Sequence, residues 1–108
     1  MEFFPCSYLG SEVELTAERE LHIAAHHPDL LPSNKRHIIE TINHPDQVRR
    51  SSRAGDARLF SRWYPELKGG KHVVVVVMGA AEKSGHSWII TAYMASKLAP
   101  GEIEWQKS

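Results

Sequence analysis

The chain has 108 residues, 42% hydrophobic and 24% charged, with a formal net charge of zero, which predicts one domain around one modest core. No apolar run reaches the ~18 residues of a membrane span, and the N-terminal MEFFPCSYLG carries no basic signal-peptide region. Cys6 is the single cysteine, which excludes an internal disulfide and leaves a cytoplasmic protein as the expectation.

Residues 1–11 read as an irregular lead-in, because Pro5, Gly10 and Ser11 oppose regular structure. Phe3, Phe4, Tyr8 and Leu9 could pack over the domain as a lid, and Cys6 reads as an ordinary thiol in a loose segment. A helix follows, capped by Thr16, or by Ser11 with Glu14 three residues on. Val13, Leu15, Leu21, Ile23, Ala24 and Ala25 give it an apolar face, and Pro28 ends it. His22 and His26, four apart, share one helical face, while His27 stands at the C-terminal end beside Pro28. Leu30-Leu31-Pro32 turns the chain. Ser33 or Asn34 can then cap a second helix, Lys35 to Asn43, with Ile38, Ile39 and Ile42 inward.

His44-Pro45 stops that helix, and Asp46 to Ser51 reads as an edge strand. After a turn around Gly55, Ala57 to Tyr64 alternates. Leu59, Ser61 and Trp63 take one face; Arg58, Phe60, Arg62 and Tyr64 take the other. Val73 to Val77 is an unbroken β-branched run bounded by glycines, which disfavours a helix and predicts a strand buried on both faces. A polar link, Gly79 to Gly85, leads to a second strand, Ser87 to Tyr93. A link that short predicts an antiparallel pair, since a parallel crossover needs a dozen residues or more. A tail over 98–108, with Pro100-Gly101, Ile103 and Trp105, is expected to dock on the domain. Two helices before four meandering strands predict an α+β fold, the helices packed on a four-stranded antiparallel sheet.

The zero net charge hides an asymmetry. Residues 1–46 carry eight acids and three bases, a net −5, whereas residues 47–72 carry seven bases and two acids, a net +5. Positive potential of that kind suits a phosphate-bearing ligand, unless it pairs with the acidic half.

Among chemistries, metal catalysis is poorly served. His22 and His26 have helical ligand spacing, but Ile23 stands where HExxH has its glutamate, and there is no cysteine pair. No serine lies in a GxSxG elbow, and Gly79 to Gly85 is not a P-loop. Metal-free RNA cleavage is better served, with no cofactor. It needs an acid and a base near neutral pH and cations to hold the charged phosphorane. His22, His26 or His27 could supply the former. Arg58 and Arg62, four residues apart on one strand face, could supply the latter. Thr91 and Tyr93 share a face of the last strand, and Tyr64 and Tyr93 could stack a base.

Several ordered patterns resemble a known family. The run LTAERELHIAAHHPDL is similar to the LT-x-E-R-x-x-HI helix of small phage and bacterial domains grouped as barnase–EndoU–colicin–RelE-like (BECR) nucleases. TINHPDQV, RLFSRWY, GKHVVVVV and WIITAY follow in the family's order, and Lys97 to Trp105 resembles its K…GE…W ending. The resemblance covers residues 15–105. It implies helices on a four-stranded antiparallel sheet and metal-independent RNA cleavage in a toxin or phage-conflict setting, held off by an antitoxin. Residue by residue, His22 and His27 match the family's histidines, and His26 stands where the family tends to have arginine. Arg58 (or Arg62) matches the basic residue of the second strand; Thr91 and Tyr93 match its TAY.

The expectation is therefore a metal-independent endoribonuclease with His22, His27, Arg58, Thr91 and Tyr93 catalytic and His26, Arg49, Arg50, Arg62 and Tyr64 binding RNA. The rival is a non-catalytic RNA- or protein-binding module on the same fold.

Overall fold

The computed structural model describes residues 2–52, 56–79, 86–99 and 101–108. The polar link at 80–85, the turn centre at 53–55 and the start of the tail's turn at 100 lie outside the described residues. In chain order the elements are β1 (Glu2–Cys6), β2 (Ser11–Leu15), α1 (Ala17–His26), α2 (Lys35–Asn43), β3 (Gln47–Arg50), β4 (Arg58–Tyr64), β5 (Lys71–Met78), β6 (Trp88–Ala95) and β7 (Glu102–Gln106).

The expected four-stranded antiparallel sheet is too small. The described strands form one seven-stranded mixed sheet in the order β1-β2-β6-β5-β4-β3-β7. Its centre, β3 to β6, is the antiparallel meander read from the sequence. The difference lies at both ends of the chain. The lead-in is a hairpin, β1 against β2. Pro5 sits on the outermost strand, where a missing N–H costs no ladder bond. Gly10, at φ +67°, supplies the left-handed residue of the turn. β2 then meets β6 in parallel at Glu14 and Trp88, with the Glu14 N–H donating to the Ser87 carbonyl at 3.0 Å. The tail is also a strand: β7 pairs with β3, so β3 is an inner strand and not the expected edge. Cys6, expected in a loose segment, is buried in β1, and burial pushes its thiol pKa up.

The second helix lies where the periodicity put it, but the apolar face expected for the first is not the one that forms. Val13 and Leu15 are buried in β2, Leu21 is exposed, and only Ile23 of α1 is buried, because residues two apart share a face in a strand and not in a helix. Thr16 caps α1, its hydroxyl accepting from the Arg19 N–H at 3.1 Å; Ser11, the alternative start, belongs to β2. α2 buries His37, Ile38, Thr41 and Ile42. The central valines are buried on both faces as expected, with Val76 only partly so. Val73, Val75 and Val77 share a core with Phe60, Val48, Ile89 and Ala92. A bulge between Val76 and Val77 leaves Ile90 of β6 outside the ladder register, and the Ile90 carbonyl accepts from Arg19 Nη1 at 3.2 Å.

The β1–β2 turn reaches across to the strands at the far side of the sheet. Tyr8, in the β1–β2 turn, rests edge-on against Phe60 and donates its hydroxyl to Glu104 Oε1 of β7 at 2.6 Å. Arg58 Nε donates to both oxygens of the same carboxylate, at 2.8 and 2.9 Å. The guanidinium is nearly fully buried, with 7% of the side chain exposed. Burial alone would raise the Glu104 pKa, but the bonds from Tyr8 and Arg58 outweigh it and hold the carboxyl below its ordinary value.

Arg58→Ala removes a buried charge-assisted bond but leaves the partly exposed Glu104 with Tyr8 and Arg50, so it is expected to cost about 1–3 kcal/mol, visible as a fall of roughly 5 °C or more in Tm. The depressed Glu104 pKa gives stability that is present above the unfolded value of about 4.3 and lost as pH falls through the folded one. Thermal melts between pH 3 and 6 should therefore fall more steeply for the native protein than for Glu104→Gln.

Candidate functional site

Strand alternation divides the expected site residues between two faces of the sheet. Arg58, Arg62 and Tyr64 lie on the face covered by α2. Tyr64 is buried, its ring edge-on to His37 at 4.5 Å, and its hydroxyl donates to Glu40 Oε1 at 2.8 Å. Burial, reinforced by Glu40, pushes its phenol pKa well up. Arg62 Nη1 donates to the His44 carbonyl at 2.6 Å, and its guanidinium carbon lies 5.7 Å from the Tyr64 ring centre. Arg50 Nη2 is 3.3 Å from Glu104, beside the Arg58 pair. All four residues are engaged with partners inside the domain.

The other face is built by the register itself. One rung runs Arg49–Leu59–Val76–Thr91 across β3, β4, β5 and β6; the next runs Gln47–Ser61–Val74–Tyr93; a third pairs Trp63 with His72. A cavity of about 440 Å³ opens here, its floor made by Leu59 and Val76. Arg49, Arg50, Ser51, Tyr93, Ala99 and Gly101 are among its walls, with the Arg50 guanidinium engaged by Glu104. Arg49 is 4% exposed, and among the described residues its Nε and Nη2 have no hydrogen-bond partner. Leaving a guanidinium buried and unpaired is costly, and such groups are ordinarily paired in native structures. Nε and Nη2 form one edge of the guanidinium fork, the pair of donors that matches two oxygens of a phosphate or carboxylate. Gly101 keeps the wall close: a Cβ there would meet the Arg50 carbonyl oxygen at 3.2 Å and Arg49 Nη1 at 3.8 Å.

Of the histidines, His27 approaches this face, its ring centre 6.1 Å from that of Tyr93. His22 and His26 face each other at 4.2 Å on α1, with His26 Nδ1 2.9 Å from the His22 carbonyl, and neither lines the cavity. Partial burial and the charges of Arg19 and His26 lower the His22 pKa. Thr91 shares the face with Tyr93 but stands away from the cavity wall. Two residues outside the expected site belong to this face. Trp63 and His72 touch edge to face at 4.8 Å. Burial lowers the His72 pKa, with Arg49 adding to the effect against the opposing pull of Asp46. Alternation had placed Trp63 beside Leu59 and Ser61; His72 enters because it stands opposite Trp63 in the ladder. Among the described residues, no group of three or more His, Cys, Asp or Glu is placed to hold a metal ion.

If Arg49 waits for an anion, it is a liability to the unliganded fold. Arg49→Met, which keeps the length and loses the charge, is expected to leave Tm unchanged or raise it by a few degrees. A fall of more than about 5 °C in calorimetry would instead make Arg49 a structural group. No family model matches the sequence, and neither a curated protein nor a solved structure is recognisably similar, so the chemistry of the face rests on its own geometry.

Proposed function

We propose that the open sheet face binds RNA by a phosphodiester and cleaves it without a metal ion. The carrying observation is the buried, unpartnered fork of Arg49 in a cavity shared with Tyr93. The ordered BECR-like motifs support the same reading through their histidine and TAY positions, here His27 and Tyr93. Arg49 takes the non-bridging phosphate oxygens. His27, acting through or beside the Tyr93 hydroxyl, serves as the proton-transfer group: the ribose 2′-OH loses its proton and attacks phosphorus, and the 5′-oxygen leaves protonated. Thr91 lends a further hydroxyl to the face. Arg58, Arg62 and Tyr64 take no part, because the domain already uses them. The proposed setting is cytoplasmic; among the described residues no helix is long and apolar enough to cross a membrane. The partner that suits this face is an acidic inhibitor protein.

A second reading keeps the binding and drops the cleavage. It is favoured by one observation: among the described residues, the cavity is lined by no imidazole, and His27 meets it only at Tyr93.

Purified protein incubated with total RNA in EDTA between pH 5 and 8 separates the two. The expected result is fragments ending in 2′,3′-cyclic phosphate, with rates falling at least ~100-fold in His27→Ala and in Arg49→Met while both variants melt cooperatively. Native rates in both variants would sink the assignment. RNA retained on the native protein without product would select the binding module.

A further inference from the structure

Trp63 is an exposed tryptophan with an unusual seat. It keeps 42% of its surface exposed. Its benzo ring lies over the backbone of Gly70, where φ is +75° and where a Cβ would come within 2.5 Å of ring carbon Cζ2. Only a residue without a side chain allows that approach. His72 closes one side of the ring at 4.8 Å. The Trp63 N–H donates to Asp46 Oδ2 at 2.8 Å, fixing the strand at the same residue. Single exposed apolar side chains are ordinary. Trp63 differs from the others because it is held from below and shares its face with the unpartnered guanidinium of Arg49.

Arg49 stands opposite Leu59, and Trp63 is four residues further along β4. At ~3.3 Å per residue the two are about 13 Å apart along the strand. At the ~3.4 Å phosphate spacing of a stacked strand, the gap takes about four nucleotides, and fewer if the strand is drawn out. Asp46 lies beside Trp63, and Lys107 Nζ is 3.6 Å from it, offsetting its charge.

We propose that Trp63 is a stacking platform for a nucleobase, so that the open face takes an unpaired RNA strand with a phosphate at Arg49 and a base on the indole, an inference that rests on the RNA-binding reading of this face. A duplex keeps its base faces stacked on one another and offers none to the indole. Stacking on an aromatic ring is tolerant of base identity, so the platform sets strand state and length, not sequence.

The test uses non-cleavable 2′-O-methyl oligouridylates of two and six nucleotides, and a 2′-O-methyl duplex, binding to the full chain at low salt in EDTA. The hexamer is expected to bind about tenfold more tightly than the dimer and also more tightly than the duplex. Trp63→Ala should bring the hexamer to the dimer's affinity and leave the dimer unchanged, while Trp63→Phe restores most of the difference. Thermal melting of both variants shows that the fold is kept. Arg49→Met should weaken dimer and hexamer alike. If Trp63→Ala binds the hexamer as the native protein does, or the duplex binds as well as the single strand, the platform is wrong and the Arg49 site stands. If the native protein binds none of these probes, or Arg49→Met changes nothing, the anion site itself fails and the platform with it.

Discussion

The central valine strand must be covered on both sides, and the rest of the structure follows from how that is done. Valines that alternate across a pleat present methyl groups to both faces, so each face needs a layer or large neighbours. On one side α2 and Phe60 supply the layer. On the other, among the described residues, no helix covers the sheet. Val74 is shielded within its rung by Ser61 and Tyr93, with Trp63 and His72 on the next rung. Partial cover of this kind is what leaves a cavity on a sheet face.

Charge is distributed by the same division. Three arginines of the positive segment at 47–72 meet carboxylates inside the domain, distant in sequence. Glu104 receives Arg58 and Arg50, and Glu40 lies near Arg62. Within the acidic half, Lys35 bridges Glu2 and Glu20, tying β1 to α1 and α2. Among the described residues, the buried Arg49 keeps Nε and Nη2 without a partner, on the face that α2 does not cover. A neutral chain can thus carry one strong local anion site, because burial and not net charge sets the strength of the field there.

The central meander lies where alternation and β-branching put it, yet the expected four-stranded sheet is too small. The reason is visible at Pro5, Gly10 and the segment after Pro100. In isolation these residues argue against regular structure. In the folded chain Pro5 is harmless on an outermost strand, Gly10 makes a hairpin turn, and β7 forms because β3 offers it an open edge. Edge strands draw their order from the neighbour they pair with, which local propensity does not contain.

From the sequence alone, the two helices, the two-sided valine strand, its antiparallel partner and the alternation of Ala57 to Tyr64 were legible, because each rests on periodicity or β-branching within a short window. The faces that Arg58, Arg62, Thr91 and Tyr93 would take were legible for the same reason. Only the tertiary structure decided which face is covered, and so which residues stay available. It joined Arg58 to Glu104 across 46 positions and Arg62 to His44, and it left Arg49 alone beside Tyr93. A sequence lists charges, but their pairing depends on distances set by strand order, and strand order here includes three strands that only pairing creates.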